Sequence, residues 1–157
     1  MHPTVNIAVR AARAAGDVVL RYHNQIDLLT IEHKSENDFV SEVDKAAENA
    51  IINEIKKAFP EHAILGEESG EILGNSNYQW VIDPLDGTTN YLHGFPQYAI
   101  SIALFEKKIL THGVVYDPFK EELFTASKGE GAYLNNERMR GTSTNGLQNT
   151  LIGTGFP

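Results

Sequence analysis

Apolar residues recur at three- and four-residue steps over residues 4–23: Val5, Ala8, Val9, Ala12, Ala15 and Val19. That period predicts an amphipathic helix, with Thr4, after Pro3, as its N-cap. Gly16 lies inside the helix, where it costs stability, so it predicts close packing against a neighbour. A short strand is predicted over 28–33, and KSEND (34–38) reads as a polar loop. A second stripe runs through Val43, Ala47, Ala50, Ile51, Glu54, Ile55 and Ala58, with only Glu54 polar. It predicts a helix over 42–59, with Ser41 and Asp44 as an S-x-x-D start and Pro60 as the stop.

After residue 60 the rhythm changes to strands, predicted at 63–66, 78–82, 98–105, 110–116, 122–126 and 132–134. The segments EKK (106–108), DPFK (117–120) and KGEG (128–131) are short turns, which imply antiparallel pairing. Two helices followed by a largely antiparallel sheet is an α+β arrangement. There is no internal repeat and no low-complexity segment, and the long polar loop lies around 74–77. The end, LIGTGFP (151–157), reads as a strand entering a loop. The expectation is an N-terminal portion of one domain whose C-terminal half lies beyond residue 157.

Composition narrows the class. With 157 residues, one domain with a real core is the prior. Acidic residues outnumber basic ones, 21 to 13, for a net charge of −8. That opposes charge-driven binding to nucleic acid or to anionic membranes. It also repels a phosphorylated substrate unless cations sit between the two. The chain has no cysteine, which excludes disulfides and thiolate metal sites and fits a cytoplasmic setting. The N-terminus does not read as a signal peptide, and no apolar run is long enough to span a bilayer.

The chemistry concentrates in WVIDPLDGTTNY (80–91), where an apolar run meets two carboxylates around a proline. Alone, Asp83 and Asp86 have two readings, as caps of tight turns or as cation ligands. Glu67 and Glu68 also follow a short apolar strand, and Asp38 and Asp44 flank the start of the second helix. If these carboxylates converge, they repel one another, their proton affinities rise, and divalent cations relieve the strain. The ligands are all oxygen, which favours Mg²⁺ or Mn²⁺ over zinc. His2, His23, His33, His62, His93 and His112 form no H-x-H or H-x₃-H pair and read as solvated or singly bonded. Pro84 stiffens the turn and helps aim the Leu85 carbonyl, and Gly87 allows close backbone approach. A helix beginning near Thr88 would offer free N–H groups to phosphate. For Asp44, ordinary helix capping competes with a role in the cleft. Tyr91, Phe95 and Tyr98 read as packing residues.

DFVSEVD (38–44), GEES (66–69), WVIDPLDGTTNY (80–91), GVVYDP (113–118) and GTGFP (153–157) resemble the inositol monophosphatase family, and within it the bacterial SuhB-type members. The resemblance runs through the whole chain. It implies a layered α/β sandwich of the sugar-phosphatase type and Mg²⁺-dependent, lithium-sensitive hydrolysis of inositol monophosphate. Carried over residue by residue, it makes Glu67, Asp83, the Leu85 carbonyl and Asp86 metal ligands, with Asp83 bridging two ions. It pairs Thr88 with Asp44 to orient and deprotonate the attacking water, with Glu67 counted among the catalytic residues. It places the substrate phosphate against Leu85, Asp86, Gly87 and Thr88. Ser41 stands where the family has threonine, and Lys34 lies near the position of a family loop lysine. The family's W-D-x-A-A-G motif, which carries a further metal ligand, does not occur in the 157 residues. The expectation is therefore a catalytically impaired piece.

Attack is expected in line and without a covalent intermediate, since no cysteine or histidine is placed as a nucleophile. The resemblance also implies a small phosphomonoester as partner and a homodimer. Two rival readings remain open. One is a 3′-phosphoadenosine or fructose bisphosphate phosphatase. The other is a binding partner of the bacterial transcription machinery in ribosomal RNA antitermination.

Overall fold

The computed structural model describes residues 2–23, 36–148 and 150–153, with the backbone alone for 36–41. Helix α1 spans Pro3–His23 and α2 spans Glu36–Ala58. Eight strands follow: β1 (Ala63–Gly66), β2 (Gly70–Ile72), β3 (Tyr78–Asp86), β4 (Ala99–Glu106), β5 (Ile109–Asp117), β6 (Glu122–Ser127), β7 (Gly131–Leu134) and β8 (Glu137–Arg138). A short helix, α3 (Thr88–Leu92), sits between β3 and β4. The strands form one sheet in the order β2-β1-β3-β4-β5-β6-β7-β8. Every pairing is antiparallel except β1 with β3, which is parallel. The architecture is the expected α+β one, a helix pair packed on a mainly antiparallel sheet.

Both helices bury most of their predicted stripes, although Ala50 and Glu54 are half-buried and Ala58 is exposed at the end of α2. Val5, Ala8, Ala12, Ala15 and Val19 of α1 meet Val43, Ala47, Ile51 and Ile55 of α2 and the inner face of the sheet, which contributes Trp80, Ile82, Ile100, Ile102, Leu104 and Val114. Alternate residues of β4 (Ser101, Ala103, Phe105) turn to the other face and are half-buried. On that face Leu65, Leu110 and Val115 are exposed. A Cβ at Gly16 would lie 2.7 Å from the Tyr116 ring and 3.1 Å from Pro118, so glycine lets α1 settle onto the end of β5. Lys56 Nζ donates to the carbonyls of Pro60 (3.2 Å) and His62 (2.7 Å), closing the C-terminus of α2 where the chain turns at Pro60.

Several local expectations need correction. The N-cap of α1 is His2, not Thr4. The Thr4 N–H donates to His2 Nδ1 (3.3 Å), and the His2 carbonyl accepts the first helical bond from Asn6 (3.3 Å). Pro3 then takes the first helical position, where its missing N–H costs nothing. Helix α2 starts at Glu36, so Glu36–Asp38 are helical rather than loop, and Ser41 lies inside the helix. Strand β3 does not stop at Ile82 but runs to Asp86, with a register irregularity between Asp83 and Asp86. Pro84 has no N–H for a regular ladder, and a bulge is where a strand accommodates that. The short strands β2 and β8 were not anticipated. Residues 151–153 are not a strand, and Leu151 is 99% exposed. The 28–33 strand, Lys34, the side chains of Asp38 and Ser41, and residues 154–157 lie outside the described residues. Among the described residues no helix is long and apolar enough to cross a membrane.

Candidate active site

The parallel pairing of β1 and β3 builds the site. Gly66 stands opposite Ile82, so both strands deliver their next residue, Glu67 and Asp83, to the same end of the sheet. Glu67, Glu68 and Ser69 form the tight turn from β1 into β2. Asp83 opens the bulge around Pro84, and Asp86 closes it. From the helix layer, Asp44 comes down on the same place with only 7% of its surface exposed. Because α2 begins at Glu36, Asp44 sits in mid-helix, and the capping reading for it is excluded.

These acids lie close enough to repel one another. Burial, then the charges of Glu68, Glu67, Asp83 and Glu48, push the Asp44 carboxyl up to about 7. Burial, then the Glu67 charge, pushes Asp83 up to about 6. Asp86 and a side-chain hydrogen bond with Glu67 add to this, and a hydrogen bond from the Leu85 N–H opposes it. That N–H donates to Asp83 Oδ1 at 3.1 Å, a local turn around Pro84 that fixes the carboxylate's direction. The turn reading of Asp83 is seen directly: one oxygen holds the turn, while the acid also belongs to a repelling cluster.

Thr88 Oγ1 donates to the Leu85 carbonyl at 3.0 Å. This bond ties the start of α3 to the bulge, and the expected Thr88–Asp44 pairing is not formed. Asp86 is exposed at the rim, whereas the Leu85 side chain is buried. Tyr91 and Tyr98 pack edge to face, 5.1 Å apart, and Tyr91 OH donates to the Val19 carbonyl at 2.8 Å. Phe95 is 59% exposed and does not pack as expected. His62 accepts from Trp80 Nε1 at 3.0 Å and His112 bonds Ser127 at 2.9 Å.

Gly87 has φ +96°, and a Cβ there would lie 2.8 Å from the Gln97 carbonyl oxygen. Asn90 Nδ2 donates to that same oxygen at 2.8 Å, so the segment before β4 is held against α3. Gly87→Ala is expected to cost about 2–3 kcal/mol, from the left-handed backbone and the close backbone contact. Urea denaturation checks it, and a loss below about 0.5 kcal/mol would show that the turn relaxes freely.

Sequence reasoning missed Glu48. It lies one turn beyond Asp44 on α2 and is 2% exposed. It accepts the N–H groups of Glu68 (2.9 Å, at Oε2) and Ser69 (2.8 Å, at Oε1). The available signal was its i+4 spacing from Asp44, which puts both acids on one helix face.

Among the described residues, no three histidine, aspartate or glutamate side chains are already drawn together as a coordination shell. The donor set nonetheless fits a hard divalent cation. Every candidate group is an oxygen, and the carboxylates hold their protons tightly where a cation would displace them.

The sequence profile of the inositol monophosphatase family matches residues 1–157. The chain belongs to the inositol monophosphatase family. Its similarity to the Nus factor SuhB of Pseudomonas aeruginosa is 50% identity over 160 residues, covering 100% of this chain and 59% of the relative. Among solved structures, the extragenic suppressor protein suhB of Bartonella henselae superposes with a TM-score of 0.81 at 41% identity. The match covers 91% of this chain and 56% of the other. An inositol monophosphatase from an Anabaena species gives 0.74 at 41% identity, over 88% of this chain and 49% of that one. The chain thus spans little more than half the length of the relatives it matches, and its family is one of phosphatases.

Proposed function

We propose that the protein carrying this chain hydrolyses a phosphomonoester, inositol monophosphate, with Mg²⁺. The observation that supports this most directly is the convergence of Asp44, Glu67 and Asp83, each from a different element, on the shared end of β1 and β3. Glu67, Asp83, Asp86 and the Leu85 carbonyl are the residues that would hold Mg²⁺. The bound cation supplies Lewis-acid chemistry, which eases water deprotonation and neutralises phosphate charge. The chain's own residues do the rest. Asp44, buried and facing the same acidic cluster, is the carboxylate that would take the proton from water. Thr88 moves its hydroxyl from the Leu85 carbonyl to the incoming water. Gly87 and Thr88 offer backbone N–H groups to phosphate oxygens.

On this proposal the chain is the N-terminal portion of one domain, with the substrate's polyol wall on the remainder. A homodimer, a cytoplasmic setting and sensitivity to lithium belong to the same reading. The test is phosphate release from inositol 1-phosphate by the longer protein and by the 157-residue chain. The longer protein is expected to release phosphate only with Mg²⁺ and to be inhibited by Li⁺, and the chain alone to be at least about 100-fold slower. Release by the longer protein that ignores Mg²⁺ would sink the proposal.

A second reading rests on relatives about half identical to this chain that carry the name Nus factor. On it, the protein also binds the transcription machinery. An Asp83→Asn variant that still supports growth in cells lacking the native protein would favour it.

A further inference from the structure

We infer that Glu48 is a positioning residue that fixes the β1–β2 turn to α2 and thereby aims the Glu67 carboxylate. The inference rests on the cation-site reading of Glu67 and Asp83 and extends it to a residue outside the ligand set.

Glu48 is a carboxylate taken out of water with 2% exposure, and among the described residues no cation pairs with it. Its charge is instead met by two successive backbone N–H groups, those of Glu68 and Ser69, at 2.9 and 2.8 Å. Hydrogen bonds to an ionised acceptor are short and strong, and two from one turn fix orientation as well as distance. Glu67 is the residue immediately before those two amides, so its Cα has little freedom left.

The approach is built in from the other side too. A Cβ at Gly66 would lie 2.5 Å from Glu48 Oε2 and 2.7 Å from Ser69 Oγ. Glycine at the end of β1 is what admits the carboxylate. Asp44 and Glu48, four residues apart on α2, therefore have separate tasks. Asp44 faces the cleft directly, whereas Glu48 holds the backbone that carries the next acid. One rigid helix sets the spacing between Asp44 and Glu67.

The test uses this chain, with Mn²⁺ as the spectroscopic probe and amide hydrogen exchange at Glu68 and Ser69. Glu48→Gln keeps the size but offers one acceptor oxygen and turns an NH₂ toward the second amide. It is expected to raise exchange at one of the two amides at least about tenfold and to weaken Mn²⁺ binding about 10-fold or more, as loss of an orienting partner does at metal sites. Gly66→Ala displaces the intact carboxylate and is expected to do the same, which separates positioning from loss of charge. Unchanged exchange in Glu48→Gln would overturn the contact itself. Raised exchange with unchanged Mn²⁺ affinity would overturn the positioning role. Asp83→Asn is the reference: if it loses Mn²⁺ and Glu48→Gln does not, this inference alone fails. If Asp83→Asn retains Mn²⁺, the cation-site reading fails and the inference falls with it.

Discussion

Replacing Asp83 by asparagine is expected to abolish divalent-cation binding, to slow phosphate release by the longer protein about 1000-fold or more, and to stabilise the metal-free chain. The three effects have one cause. Asp83 stands in a half-buried cluster whose charges repel it, which is why its carboxyl is pushed up to about 6. That repulsion is unfavourable until a cation arrives, and then the same charge becomes the attraction that holds it. Asparagine keeps the side-chain oxygen that accepts the Leu85 N–H, so the turn around Pro84 stays formed. It removes the charge, and with it the repulsion on Asp44 and Glu67. A 1000-fold loss corresponds to about 4 kcal/mol of transition-state stabilisation. That is a modest demand on a ligand expected to bridge the catalytic cations. Calorimetric Mg²⁺ titration, thermal melting without metal, and phosphate release measure the three effects separately. A variant that melts lower and still binds Mg²⁺ would make Asp83 a turn residue and nothing more.

The helices and most strands were legible because their apolar spacing is regular. Val5 to Val19 and Val43 to Ile55 repeat at helical steps, and β4 alternates Ile100, Ile102 and Leu104 against smaller or polar residues. The hairpin at Asn135-Asn136, with φ 48° and 71°, carries its signal in the two asparagines, which tolerate that backbone. The hairpin at Lys107-Lys108, with φ 50° and 67°, has no such residue type, and its turn shape follows from the strands on either side.

What the sequence hid was mostly non-local. Short turns suggested that neighbouring strands pair antiparallel, yet β1 lies parallel to β3 because the three-residue β2 folds back to its outer edge. That one pairing brings Glu67 beside Asp83, so the motifs GEES and DPLD were recognisable before their juxtaposition was. The start of α2 was misplaced for the opposite reason. Ser41 and Asp44 mimic a capping box locally, and the polar residues before them carry no apolar period to show that the helix has already begun. For Glu48 the sequence offered only its i+4 spacing from Asp44, because its partners are backbone amides 20 and 21 residues away, and backbone partners leave no mark on side-chain spacing.

The metal-free chain is expected to lose stability as pH rises from about 4 to 7, and Mg²⁺ is expected to restore part of it. Asp44 moves from an ordinary value of 3.8 to about 7 on folding, and Asp83 from 3.8 to about 6. A carboxyl whose folded value is raised binds its proton more tightly in the native state. Its favourable contribution is therefore complete below pH 4 and disappears as pH climbs through the folded value. Each tenfold change in proton affinity is worth about 1.4 kcal/mol, which would give roughly 4 kcal/mol for Asp44 and 3 for Asp83. The two acids share part of the same repulsion, and water at the cleft mouth screens it, so about 3–5 kcal/mol together is the expected range. Ordinary surface carboxylates titrate near pH 4 and contribute little between pH 5 and 7, whereas His62 and His112, whose values burial lowers, favour folding more as pH rises, so the difference between the unaltered chain and Asp44→Asn isolates the acidic cluster. Urea unfolding at pH 5 and pH 8, with and without 10-fold excess Mg²⁺ over its Kd, reads both terms. At that excess, binding to the folded chain alone adds about 1.4 kcal/mol at pH 8 and little at pH 5, where protons compete for the same oxygens. Asp44→Asn should flatten most of the pH slope without metal. Equal pH slopes in the unaltered chain and in Asp44→Asn would mean that the carboxylates are too well solvated to form the cation site described above.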